Sequence, residues 1–146
     1  MRVSISNIAW DPAEDEAVAA LLAKHGVDAI DVAPGKYFPV PAEASAEAIR
    51  RVRAAWAERG IGIVGMQALL FGTSGLNVFG DDASRERMLE HLGHVCRIGA
   101  GLGARALVFG SPKNRDRGAR SDDEVASIST AFFRKLGDVA ETHGVV

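Results

Sequence analysis

Two rhythms of apolar and polar positions alternate along this chain. Short β-branched runs at residues 3–8, 28–33, 62–69 and 106–109 read as strands. Between them, apolar residues recur at helical spacing: Val18, Leu21 and Leu22; Ile49, Val52 and Trp56; Met88, Leu92, Val95 and Cys96; Ile128, Phe132, Phe133 and Leu136. Each stretch opens on a recognisable cap. Asp11-Pro12 with Glu14 suits the start of the first helix, and Ser121 with Glu124 forms a capping box for the last. The second helix is expected over 44–59 and the third from Ala83.

The helix ends repeat. Lys24-His25-Gly26-Val27, Glu58-Arg59-Gly60-Ile61, Gly101-Leu102-Gly103-Ala104 and Thr142-His143-Gly144-Val145 each set a glycine stop before a β-branched run. Glycines at 26, 60, 103 and 144 lie about one strand, one helix and two loops apart. The sequence therefore predicts four βα units and the first residues of a fifth strand, in one domain over 1–146. Alternating strands and long helices imply right-handed crossovers and a parallel sheet. The loops after the strands are long and rich in Gly, Pro, Asn and charge, whereas those after the helices are short. That asymmetry favours an α/β fold of the (β/α) TIM-barrel type, a half-barrel, with its chemistry at the strand C-termini. A doubly wound sheet would carry a glycine-rich turn after strand one, and Asn7-Ile8-Ala9-Trp10-Asp11 has no glycine.

Composition narrows the function. At 146 residues, 47% hydrophobic and 25% charged, the chain is long and apolar enough for a core. A formal charge of −2 gives no support to nucleic-acid binding, and no apolar run approaches the length of a membrane span. The opening Met1-Arg2-Val3-Ser4-Ile5 reads as a strand and not a signal peptide, so a cytoplasmic location is expected. The one cysteine, Cys96, sits on an apolar helix face and reads as a buried, reduced thiol.

Candidate chemistry lies at the four strand ends. Strand one ends in Asn7, Trp10 and Asp11; Trp10 offers a ring for stacking on a sugar, and Asp11 reads as a helix cap. Lys36, Tyr37 and Phe38 follow strand two, either closing over a ligand or sealing the barrel top. Gln67 is a lone amide in an apolar run and needs a partner, from a ligand hydroxyl or a neighbour. Ser111, Lys113, Asn114 and Arg115 after strand four make a cradle for an anionic or polyhydroxylated ligand, or else a solvated basic loop, with Arg117 and Arg120 extending the charge. In the long loop over 71–82, Val78 and Phe79 look exposed. His25 and His143 fall at helix C-termini, and His91 and His94 lack acidic or cysteine partners at ligand spacing. No residue is assigned a catalytic or metal-binding role.

Ser4-Ile5-Ser6-Asn7-Ile8-Ala9-Trp10, Gln67-Ala68-Leu69-Leu70-Phe71-Gly72, Leu76-Asn77-Val78-Phe79-Gly80 and Leu107 through Arg115 resemble the sugar phosphate isomerase/epimerase family of xylose isomerase-like TIM barrels. That resemblance spans the chain and implies a metal-dependent aldose–ketose isomerase or ketose epimerase acting on a sugar or sugar phosphate. It implies a divalent ion (Mn, Mg, Co or Zn) held by Glu, Asp, His and Glu on strands five to eight, none of which falls in this sequence, so no metal is expected on this chain alone. What carries over is part of a substrate-facing wall: Asn7, Trp10, Gln67, Ser111, Lys113, Asn114 and Arg115. The related nuclease branch places histidines at early strand ends, where this chain has Gln67 and Ser111. The expectations are thus the N-terminal part of such an enzyme, inactive alone, or a half-barrel that pairs with itself or with a C-terminal half as a non-catalytic small-molecule or anion-binding module.

Overall fold

In the computed structural model, which describes residues 2–146, four parallel strands form one sheet in the order β1-β2-β3-β4. Met1, which the sequence reading ran toward the first strand, lies outside the described residues. The strands are β1 (Ile5–Ser6), β2 (Ala29–Val32), β3 (Gly62–Met66) and β4 (Ala106–Leu107). The helices that follow them are α1 (Asp15–Lys24), α2 (Ala46–Glu58), α3 (Asp82–Leu102) and α4 (Asp122–Thr142). Each strand pairs with its predecessor in sequence, the arrangement of a half-barrel. The ladder runs on past β4: Leu107 N donates to Val146 O at 2.7 Å and Val146 N to Arg105 O at 2.8 Å, the pattern of a fifth strand beginning.

The two predicted caps form as read. Asp11 and Glu14 close a capping box over a 3-10 turn that leads into α1, and Ser121 with Glu124 closes the other at α4. The four repeated glycines all adopt positive φ, between 66° and 86°.

All four strands are shorter than their apolar runs suggested, β2 by one residue at each end. The run 3–8 yields only Ile5–Ser6, because the Ser6 hydroxyl accepts from Ile8 N and turns the chain into a 3-10 turn at Asn7–Ala9. The run 62–69 stops at Met66, since Ala68 takes a left-handed φ of 56° that no strand tolerates. The run 106–109 pairs only through Ala106 and Leu107 as strand. Two burial expectations also change. Leu21 is 54% exposed, and Ala19 and Leu22 make the buried stripe of α1 instead. Val78 is fully buried and Phe79 half-buried, because the loop before α3 folds down onto the loop after β4: Val78 N donates to Asn114 O at 2.9 Å and Asn77 Nδ2 to Asp116 O at 3.0 Å.

Register fixes what each face of the sheet carries. Ile30 and Val32 pair with Ile63 and Met66 and face the helices, where they meet Met88, Leu92, Val95, Ile98 and Leu102 in one core. Gly99 of α3 lies so close to β3 and β4 that a Cβ there would meet Leu107 and Met66 at 3.2 and 3.3 Å. By alternation Ser6, Asp31, Gly65 and Ala106, which pair with one another across the strands, line the opposite, concave face. Among the described residues no helix is long and apolar enough to cross a membrane.

Candidate functional site

The C-terminal ends of β1 and β2 are clamped together. Asn7 is 1% exposed; its Oδ1 accepts from Ala33 N at 2.7 Å, while its buried Nδ2 is turned toward the Tyr37 hydroxyl and has no close hydrogen-bond partner among the described residues. Lys36, from the turn after β2, reaches back to the carbonyls of Asn7 (2.8 Å), Ile8 (3.3 Å) and Trp10. Its ammonium group thus serves the main chain of the first strand's end.

Trp10 turns away from the concave face. Its indole N–H donates to Asp15 Oδ1 at 2.7 Å, its ring meets Trp56 edge-on at 6.2 Å, and it is 8% exposed. Tyr37 belongs to the same cluster, donating to Asp15 Oδ2 at 2.9 Å and accepting from Trp56 Nε1 at 3.1 Å. Burial, and then the bond to Asp15, push its phenol up to about 12. Of the two readings of Tyr37, the geometry fits the seal: it locks the turn after β2 to α1 and α2.

Gln67 and Ser111 come together. Both line a cleft of about 430 Å³ at the ends of β3 and β4, walled mainly by Leu69, Phe71, Val108 and Phe109. Gln67 Nε2 donates to Ser6 Oγ at 2.7 Å, which leaves its buried Oε1 without a partner among the described residues. A buried amide oxygen carries a desolvation cost until something donates to it. The left-handed Ala68 next to it bends the chain so that Leu69 and Phe71 form the cleft's apolar side.

The loop after β4 divides its residues between two tasks. Asn114, 3% exposed, donates to Leu76 O at 2.7 Å and accepts from the Ser111 hydroxyl, so it clasps two loops together. Lys113 and Arg115 stay exposed; Arg115 Nε donates to Ser111 O at 3.3 Å, and Lys113 lines a second cleft of about 460 Å³ with Thr73, Ser74 and Arg87. Arg117 and Arg120, which follow on the same loop, are each held by a local partner. Arg117 pairs with Asp122 at 2.7 Å, and the Arg120 guanidinium donates twice to Phe79 O, at 3.1 and 2.6 Å.

Three of the four histidines take structural positions. His91 Nε2 lies 2.9 Å from Leu69 O, and His25 and His143 cap α1 and α4. Cys96 is buried, and that burial pushes its thiol up. Sequence reading passed over Ser6, the partner of Gln67, and Asp31, whose Oδ2 accepts from Ser4 Oγ. Polar residues at every second position of the first strand, Ser4 and Ser6, were the available signal for a polar concave face.

The residues present do not suit a divalent ion. The groups at the cleft are an amide and a hydroxyl, and among the described residues no three His, Cys, Asp or Glu side chains gather as a ligand set.

Known proteins match this architecture. Over 99% of the chain, the fold matches D-psicose 3-epimerase from Clostridium cellulolyticum H10 with a TM-score of 0.74 at 18% identity, covering 50% of that chain. A structure of L-ribulose 3-epimerase gives 0.73 at 22% identity over 99% of this chain and 48% of that one. A sugar phosphate isomerase/epimerase from Parabacteroides distasonis ATCC 8503 gives 0.68 at 13% identity, covering 99% and 49%. The chain spans about half the length of these solved structures, and at such identities they speak for the fold. No curated protein matches the sequence significantly. The sequence profile of the xylose isomerase-like TIM barrel family matches residues 19–146. With that match, and with four sequential βα units carrying a cleft at their strand ends, the chain belongs to the xylose isomerase-like TIM barrel family.

Proposed function

We propose that this chain supplies the first four βα units of a sugar or sugar phosphate isomerase/epimerase, contributing a substrate-facing wall and no metal ligands, and that it has no turnover alone. The observation that carries this reading is the unpartnered, buried Oε1 of Gln67 at the cleft shared with Ser111. A sugar hydroxyl donates where that oxygen lacks a donor, and the apolar walls accept the C–H face of the same ligand. Lys113 and Arg115 stand exposed on the adjoining loop, suited to a phosphate or to further hydroxyls. Asn7, Trp10 and Asn114 act from behind, holding the β1 end and the two loops that shape the wall. The divalent ion of the family's reaction, whether Mn, Mg, Co or Zn, would be held by the other half of the barrel. A cytoplasmic location belongs to the same reading.

The test is a titration of the 146-residue chain with D-psicose, D-tagatose and L-ribulose, with and without Mn²⁺, followed by NMR and by product analysis. The side-chain amide signal of Gln67 is expected to shift on sugar addition, and that shift to vanish in Gln67→Leu. No interconversion of the sugars is expected. Metal-stimulated epimerisation by this chain would sink the claim of inactivity, and a Gln67 signal unmoved by all three sugars would sink the wall.

A further inference from the structure

Two clefts open on consecutive stretches of the same two loops. Residues 67–71 and 108–112 line the first, and residues 73–77 with Lys113 and Asn114 line the second, of about 460 Å³. Charge sets the second apart. Arg87, from the second turn of α3, and Lys113 both line it, both are exposed, and neither has an ion-pair partner among the described residues. The neighbouring cations are taken: Arg85 by Asp82, Arg115 by the Ser111 carbonyl, Arg117 by Asp122 and Arg120 by Phe79 O. One carboxylate shares the cleft, Asp81, and its Oδ1 accepts from Ser84 N at 2.8 Å as the cap of α3.

Buried groups fix the shape of this cleft. Ser84, 6% exposed, donates to Gly75 O at 2.8 Å and accepts from Asn77 N at 3.2 Å, while Asn114 holds Leu76 O from the other side. A Cβ at Gly80 would meet Ser84 at 2.9 Å, so the loop closes tightly on α3. Between these pins Gly75 takes a φ of 69°, and outside its chain neighbours nothing stands within 4 Å of where its Cβ would be. The main-chain N–H groups of Ser74, Gly75 and Leu76 have no main-chain acceptor among the described residues. Successive unengaged N–H groups around a left-handed residue suit an anion, and two cations beside them match the charge of a phosphomonoester near neutral pH.

We propose that this second cleft binds a phosphoryl group, paired with Arg87 and Lys113 and hydrogen-bonded by the main chain at 74–76. The group is either free phosphate or the phosphate of a sugar whose ring lies in the first cleft. The site does not depend on the Gln67 wall.

The probes are inorganic phosphate, D-fructose 6-phosphate and D-fructose, titrated at neutral pH into the nitrogen-15-labelled chain. The signals followed are the amides of Ser74, Gly75 and Leu76 and the side-chain amide of Gln67. Both phosphates are expected to shift the three main-chain amides saturably. Arg87→Gln and Lys113→Gln, each checked for folding by circular dichroism, should each weaken that binding about tenfold, and either variant alone decides if the other fails to fold. Lys135→Gln removes the same charge from α4 and should leave the affinity unchanged. Tighter binding of D-fructose 6-phosphate that also moves Gln67 assigns the phosphate to a sugar; equal binding of the two with Gln67 unmoved assigns it to free phosphate. No saturable shift at 74–76 with either phosphate overturns the proposal, and so does an equal weakening by Lys135→Gln, which would trace the binding to overall charge. D-Fructose moving Gln67 while neither phosphate moves Gly75 overturns this site and leaves the sugar wall standing.

Discussion

The hydroxyl of Tyr37 sits between Trp56 and Asp15, accepting from the indole of one at 3.1 Å and donating to the carboxylate of the other at 2.9 Å. This phenol is the chain's one tyrosine, so its titration can be read without interference. Its folded pKa of about 12 lies above the ordinary tyrosine value of about 10. The folded chain therefore holds the proton more tightly than the unfolded chain. The resulting stability is full below about pH 10 and declines as pH rises toward about 12. Urea midpoints across that window should fall for wild type and stay flatter for Tyr37→Phe. At neutral pH the Phe variant should lose about 1–2 kcal/mol, because Trp56 Nε1 and Asp15 Oδ2 each lose a partner.

Gly65→Ala should destabilise the sheet. Its Cβ would press on the Asp31 carboxylate and lie 3.2 Å from Ala106 O. Overpacking of this kind costs about 1–3 kcal/mol in the urea midpoint. Asp31→Ala in the same chain should return part of the loss, and a double variant no better than Gly65→Ala would show that the strain comes from the Ala106 side.

Ala68→Gly should stabilise the chain. A non-glycine residue at φ 56° pays a steric cost that glycine does not. After subtracting glycine's greater freedom when unfolded, about 0.5–1 kcal/mol of net gain is expected from thermal or urea denaturation. A loss instead would mean that the methyl group packs usefully at the cleft.

Glu124 reports on the capping box of α4. Bonds from the Ser121 amide (2.9 Å) and hydroxyl (2.8 Å) hold its carboxyl below the usual glutamate range. A lowered folded pKa gives stability that is present above the unfolded value and is lost as pH falls through the folded one. The Glu124 side-chain carboxyl resonance, followed by NMR, should titrate lower than an ordinary glutamate. In Ser121→Ala it should move up, since the hydroxyl contact is gone; an unmoved titration would assign the effect to the backbone contact alone.

What the sequence disclosed and what it concealed divide by range. The glycine stops at 26, 60, 103 and 144 and the two capping boxes depend on residues a few positions apart, and they form as read. The strand ends depend on partners far away. Gln67 reads as the tail of a strand, yet the left-handed turn at Ala68 and a bond to Ser6, 61 residues earlier, place it at the cleft. Trp10 reads as a stacking platform because it follows β1; only the position of Asp15 and Trp56 shows its ring packed among helices. Val78 lies in a glycine-rich loop and reads as exposed, and its burial follows from Asn114, 36 residues on. Phe133 lies on the apolar stripe of α4, yet it remains 39% exposed beside Phe109 at 5.1 Å. Local propensity carries none of these distances.

The sequential order β1-β2-β3-β4 has a consequence for the way the molecule comes into being. Every strand docks on one already synthesised, and none waits for a later segment to be inserted beside it. A chain emerging from the ribosome meets its partners in the order it needs them, so each βα unit has a template as soon as it is complete. The bonds from Lys36 to the first strand's end lie wholly within the first two units and need no residue of the third.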